Sequence, residues 1–330
     1  MGNPRIRIEV LHGDALKASA DVLALKYAQE LYGVDSAAYQ RLSDRGQRPR
    51  LPDIDEVEMV SSQGLLGPDR VLFVGVPPLN RFRYQQIREF GKKVLVSLAK
   101  EAPQLRHLAL TIHGPGYGLD EEEAFDSQLA GLLDAIGARA YPATLSLITF
   151  VEKSAGRAER LKRVLKDLLP GGTVERGASR GLDVLGAQPN DMLRTVGYTS
   201  ADKPHVFVAM PFADSMEDVF HYGIQGAVKA AGFLCERADL TSFVGDVVSW
   251  VKQRISNASF VIADLTTANP NVYLEVGYAW GCGRPTVLIV RDATDLKFDV
   301  KGQRCLVYKS IKHLDEILSQ DLTALTGSSS

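Results

Sequence analysis

The sequence predicts an α/β protein made of two three-layer domains, and three observations carry that reading. Short apolar runs of strand length alternate with stretches of helical spacing along most of the chain, the pattern of parallel-rich sheets covered by helices. The alternation breaks over 171–203, which holds several glycines, few apolar residues and scattered charges. A length of 330 residues suits two domains rather than one. The expected division is therefore a first domain over 1–170, a connection over 171–203 and a second domain over 204–326. The connection reads as a linker, although its length also has room for a hairpin.

In the first domain, RIRIEVL at 5–11 alternates as a strand and His12-Gly13-Asp14 turns the chain. DVLAL at 21–25 is a second strand, and a charged, weakly patterned region follows. VLFVGV at 71–76 reads as a buried strand. The next segment has helical spacing, with Ile87, Phe90, Val94 and Leu98 on one stripe. A strand at 107–112 runs into HGPGYG, and Asp120-Glu121-Glu122-Glu123 then opens a helix. Acidic residues suit the first turn of a helix because its dipole is positive there. A strand at 145–151 and a helix at 154–169 complete this half.

The second domain begins with the strand HVFVA at 205–209, which ends in Met210-Pro211-Phe212. A helix at 216–231, a strand at 233–237 and a helix at 247–258 follow, the last with Val247, Val251 and Ile255 inward. Strands at 260–263, 286–290 and 303–308, a helix opened by Asn269, and a closing helix at 311–325 finish a flavodoxin-like or Rossmann-like unit.

Composition excludes several classes. The chain is 45% hydrophobic and 24% charged with a formal net charge of −2, so nothing in the overall charge points to nucleic acid or an acidic membrane surface. No apolar run approaches the roughly 18 residues that span a bilayer. The three cysteines, Cys235, Cys282 and Cys305, form no CxxC pair and no secretory signal is visible. A cytoplasmic location is the simple expectation. No metal or cofactor is expected.

The most informative stretch is VIADLTTANPNVYLEVGYAWGCGRP at 261–285. The strand ends at Asp264, and Asn269-Pro270 starts a helix: asparagine caps an orphan backbone N–H, and proline at the first position has no N–H to waste. Small residues Gly277, Ala279, Gly281 and Gly283 let the helix approach a sheet, or let something approach the helix. At about 100° per residue, Val272, Val276 and Ala279 share a sheet-facing side, while Asn271, Glu275 and Tyr278 share another. The ends of parallel strands lie along one edge, where such sheets place ligands. Phe212, Arg237, Asp239 and Asp264 are expected there, facing Glu275. Trp280 reads as core, and Arg237 and Arg304 read equally well as phosphate contacts or ordinary surface arginines.

VFVAMPF followed by ADLT…NPNVYLEVGYAWGCGRP resembles the nucleoside 2-deoxyribosyltransferase superfamily, which shades into Toll/interleukin-receptor-like (TIR-like) nucleotide-binding domains. The resemblance implies that Glu275 is the nucleophile, in the place of the glutamate of a FELGYA-type helix. It implies that Met210, Pro211 and Phe212 hold the ribose or phosphate region. Asn269, Asn271, Tyr278 and Arg304 are the further substrate-binding candidates. Glycosidic C–N cleavage develops positive charge at C1′, which a carboxylate on one sugar face stabilises or bonds. A second acid protonates the departing base, and Asp264 or Asp239 is the candidate. The chain departs from the family pattern where its loop reads Asn269-Pro270-Asn271 instead of D-x-G-T, and where Met210 replaces a glycine.

The first half resembles a macro domain through Gly13-Asp14 after the first strand and HGPGYGLDEEEA after a later one. The resemblance implies an adenine contact at Asp14. It also implies a diphosphate cradle at Gly114, Gly116, Tyr117 and Gly118, where backbone N–H groups meet the phosphates unobstructed. The asparagines of active macro enzymes are replaced by Leu25-Lys26-Tyr27-Ala28, so binding without ADP-ribose hydrolysis is expected. A related resemblance is to the macro-like domain of leucyl aminopeptidases, where nothing need bind.

The two halves together imply a ligand-regulated N-glycosidase. An ADP-ribose-type or cyclic nucleotide acts as activator, and a nucleotide such as NAD is cleaved, a pairing that resembles bacterial antiphage defence effectors. The alternatives are a non-catalytic module that binds nucleotides and signals through a homo-oligomer, and a deoxyribosyltransferase exchanging bases between deoxynucleosides.

Overall fold

The computed structural model describes residues 5–176, 191–237 and 247–327. The chain divides into two compact units, Met1–Gly114 with Glu121–Ala201, and Pro115–Asp120 with Asp202–Ser330. Both are α/β.

The first unit runs β1 (Arg5–His12), β2 (Val22–Tyr27), α1 (Gly33–Ser43), β3 (Val57–Ser61), β4 (Arg70–Gly75), α2 (Tyr84–Glu101), β5 (His107–Leu110), α3 (Glu121–Gly137), β6 (Leu147–Glu152), α4 (Ala155–Leu168), β7 (Thr173–Glu175) and α5 (Asp191–Thr195). Its strands form one mixed sheet in the order β3-β4-β2-β5-β6-β1-β7, with the two outermost strands antiparallel to their neighbours. Strand alternation places Leu23, Leu25, Val71 and Phe73 against Ala38 and Leu42 of α1. On α3, Phe125 stacks edge-on against Phe150 of β6, with ring centroids 4.9 Å apart. The stripe of Ile87, Phe90, Val94 and Leu98 on α2 is buried as the spacing predicts.

Part of the expected linker is structured. Residues of β7 add a strand to the edge of β1. The carbonyls of Leu193 and Val196 each accept a hydrogen bond from the buried Arg88 guanidinium, at 3.1 and 2.7 Å. A five-residue helix has too few turns to hold itself, so this one depends on a tertiary arginine that local patterning does not reveal.

The second unit runs β8 (His205–Ala209), α6 (Asp214–Asp218), a π-helical turn (Val219–Gln225), α7 (Gly226–Ala230), β9 (Leu234–Glu236), α8 (Val247–Asn257), β10 (Phe260–Asp264), α9 (Pro270–Gly281), β11 (Thr286–Val290), β12 (Cys305–Val307) and α10 (Ile311–Gly327). The expected single helix over 216–231 is thus broken in character by a π turn. All five strands are parallel, in the order β12-β11-β10-β8-β9. Alternation divides the core in two: Val206, Val208, Phe260, Ile262 and Ile289 pack with the 216–228 segment and α10, whereas Phe207, Ala209, Val261, Ala263 and Leu288 pack with α8 and α9. The order reverses direction between β8 and β10, the topological switch point at which open α/β sheets carry ligands.

Candidate functional site

The α9 helix begins as its sequence dictates. The Asn269 side chain accepts the Asn271 backbone N–H at 2.9 Å, and Pro270 holds the first turn. Val272, Val276 and Ala279 are buried against the sheet. The flank beside them faces α8, and between the two helices lies a groove of about 450 Å³. Val248, Val251, Lys252 and Ile255 of α8 line it on one side, and Asn271, Tyr273, Leu274, Glu275, Gly277 and Tyr278 on the other. A Cβ built on Gly277 would meet nothing within 4 Å, so this glycine opens the groove instead of admitting the sheet.

Glu275 is the unusual member of this wall. It is half-buried and has no hydrogen-bond or ion-pair partner among the described residues. Burial alone pushes its carboxyl up to about 7 from an ordinary 4.5, because removing water penalises the charged form. The neighbouring side chains are anchored. The Tyr278 hydroxyl lies 3.1 Å from Ser256 Oγ, and the Lys252 ammonium stands 5.6 Å from the Tyr278 ring centroid. The Tyr273 hydroxyl accepts from the Lys297 backbone at 3.1 Å.

The structure gathers Asn271, Glu275 and Tyr278 in one wall but separates them from the other candidates. Asp264 does not line the groove. It is fully buried at the end of β10, where one oxygen accepts the Thr266 N–H and the other the Tyr308 hydroxyl, each at 2.9 Å. Burial raises its pKa, and these hydrogen bonds oppose the rise. With both oxygens so bonded, Asp264 closes the end of β10 instead of lining the groove with Glu275. Asp239 lies outside the described residues. Met210 and Pro211 are buried after β8, and Phe212 is exposed there. The Arg237 guanidinium stacks 4.1 Å from the Phe220 ring centroid and 5.6 Å from that of Phe212, and bonds Glu217 at 2.6 Å. Asn269 is spent as a cap. Arg304 pairs with Asp321 at 2.5 Å with its side chain 73% exposed, and does not line the groove. Trp280, expected in the core, is 39% exposed.

Sequence reasoning missed the α8 wall. Val251 and Ile255 were legible as an inward stripe, but nothing local announces that Lys252 beside them lines the same groove as a carboxylate on another helix. The loop between β10 and α9 carries a second unannounced feature: Thr267 and Ala268 hold left-handed φ values of 66° and 49°. Non-glycine residues adopt that region only at a cost, and such costs concentrate at functional sites.

The first-half candidates occupy tighter surroundings than expected. One oxygen of Asp14 accepts the Leu16 N–H at 3.0 Å, which closes the turn after β1. Gly114, Tyr117 and Gly118 are buried, and Gly116 is half-buried with open space at its Cβ position. Pro115–Asp120 groups with the second unit, where Asp120 accepts the Cys235 N–H at 3.1 Å and pairs with Lys229 at 3.3 Å. Where the macro asparagines are replaced, Lys26 is buried, 3.6 Å from Asp35 and over the Tyr32 ring. Burial and then the Lys26 charge hold the buried His113 well below the ordinary histidine range. Among the described residues no group of three or more His, Cys, Asp or Glu side chains is placed to hold a metal, and no helix is long and apolar enough to cross a membrane.

No family model and no curated protein matches the sequence. Several solved macrodomains are similar to part of the chain. A Trypanosoma brucei macrodomain in complex with ADP is 16% identical over 48% of this chain and 69% of its own, with a TM-score of 0.38. An Oceanobacillus iheyensis macrodomain with MES bound is 15% identical over 51% of this chain and 99% of its own, with a TM-score of 0.36. The macrodomain of Thermus aquaticus DarG is 17% identical over 43% and 97%, with a TM-score of 0.32.

Proposed function

We propose that the second unit is an N-glycosidase that cleaves a pyridinium nucleotide such as NAD, with Glu275 as nucleophile or charge-stabilising carboxylate. The observation that carries this reading is the unpartnered Glu275 carboxyl in an apolar groove, poised near pH 7. A free carboxylate inside low-dielectric walls is the group a developing positive charge at C1′ requires. The reaction balances without help from a metal. The C1′–N bond breaks, its electron pair neutralises the pyridinium nitrogen, and nicotinamide leaves uncharged. Water then bonds to C1′ and loses a proton.

The composition of the wall supports one substrate class over the other. Glu275 is the one carboxyl among the described residues that line the groove. A neutral base, as in a deoxynucleoside, leaves readily only if a second acid protonates it. A pyridinium base needs no such acid. This places nicotinamide nucleotides ahead of deoxyribosyl exchange.

From the sequence pattern of the N-terminal half we propose nucleotide binding without hydrolysis, with an ADP-ribose-type ligand as regulator. Asp14 and the glycine loop supply the pattern, and Lys26 occupies the position of the missing asparagines. An antiphage-defence role follows from this pairing by analogy. The test is to incubate the full-length protein with NAD, deoxyadenosine and thymidine, each with and without ADP-ribose, and to quantify free base by mass spectrometry. Nicotinamide release without base release or exchange from the deoxynucleosides is expected, and stimulation by ADP-ribose supports the regulator. Base exchange between deoxynucleosides would reverse the assignment.

A further inference from the structure

The groove carries a cation as well as a carboxylate, and the cation has no assigned role. Lys252 is an exposed member of the α8 wall whose ammonium has no carboxylate or hydrogen-bond partner among the described residues. The neighbouring basic residue of the same helix is different: Arg254 is buried and committed to Glu236. Lys252 is held by the face of Tyr278, 5.6 Å from its ring centroid, a contact that orients an ammonium without neutralising it. Tyr278 follows Glu275 by three residues on α9, so their Cβ atoms lie roughly 5–6 Å apart on one helix surface. The cation and the carboxylate therefore border the same groove, one on each helix. They do not satisfy each other, since burial is the one influence on Glu275 and no attraction to Lys252 offsets it.

We propose that Lys252 is a specificity-determining residue that binds the 5′-phosphate of the substrate, so that the groove takes nucleotides in preference to nucleosides. The proposal rests on the glycosidase reading for the identity of the sugar-bearing group. The sugar places its C1′ at Glu275, and its phosphate, the one strongly anionic part of such a molecule, meets the one groove cation without a partner. Among the described residues that line the groove, no other side chain is a cation. A surface ammonium beside an aromatic face in a partly dry groove is a point charge suited to a phosphate oxygen.

The test is a calorimetric comparison of nicotinamide mononucleotide with nicotinamide riboside, which differ by that phosphate alone. It uses the full-length Glu275→Gln protein, which cannot consume either ligand under the glycosidase reading. The mononucleotide is expected to bind at least about tenfold more tightly, with affinity falling as salt rises. Lys252→Met in the same background is expected to bring the two ligands to within about twofold of each other, and Lys252→Arg to restore most of the difference. A preference that survives Lys252→Met overturns the proposal, as does equal affinity in the parent protein. Turnover by wild type separates the two claims. Nicotinamide release with no phosphate preference overturns only the role of Lys252. A Lys252-dependent preference with no release overturns the glycosidase reading and leaves the anion site.

Discussion

Glu275 stands out in the second unit because burial alone governs its titration. Burial raises its pKa to about 7 and nothing nearby opposes the rise. The folded value lies above the ordinary 4.5, so the stability this group contributes is complete below pH 4.5 and is lost as pH rises through 7. Glu275→Gln, which cannot ionise, is therefore expected to match wild type in thermal midpoint near pH 4. It should exceed wild type by a margin that grows up to about pH 7 and then levels off. Under the proposed glycosidase reading the ionised form meets C1′, so the rate of nicotinamide release by wild type should climb with pH across the same window with the slope of one proton. Equal midpoints for the two proteins at pH 8 would mean that the carboxyl is solvated or paired. Asp264 teaches the converse. Its pKa is raised too, but both oxygens are occupied by Thr266 and Tyr308, which close the strand end.

Among the elements, α2 and α3 show how closely sequence and packing are tied. Gly131 of α3 sits so near α2 that an added Cβ would lie 1.9 Å from the Arg88 carbonyl oxygen, and one added at Gly91 would lie 2.5 Å from the Gln128 carbonyl oxygen. Both obstacles are backbone, so the helices must move apart to admit a methyl. Gly131→Ala is expected to destabilise the protein by roughly 1–3 kcal/mol, read as a lower denaturation midpoint. A change below about 0.5 kcal/mol would show that the helices separate freely. The same separation would disturb Arg88, whose guanidinium grips Asp134 at 2.8 Å and holds α5 by two carbonyls. The groove is likewise a product of two elements. α9 supplies the carboxylate and the open Gly277, and α8 supplies the apolar wall and Lys252.

Across the whole molecule, the sequence was most legible where periodicity met burial. The strands of the second unit alternate between two separate cores, and every one of their spans was apparent from apolar runs. The elements that escaped have weak or absent periods. α1 has scarcely any amphipathic character, β3 is an edge strand whose residues are nearly all half-buried, and β7 and α5 are too short to carry a pattern. Asn271, Glu275 and Tyr278 could be placed on one helix face because helical angles are local. The partner wall could not, because no local rule states which helix covers that face. The partners of Asp264 were not legible either, because Tyr308 reaches it from 44 residues away. The central claim is that an unpaired Glu275 drives glycosidic cleavage, and the most direct measurement is nicotinamide release from NAD by wild type and Glu275→Gln at equal concentration at pH 8. Release by wild type and a loss of about 10²–10⁴-fold in the variant, with its fold intact, are expected. Equal release by both proteins, or none by wild type, would contradict it.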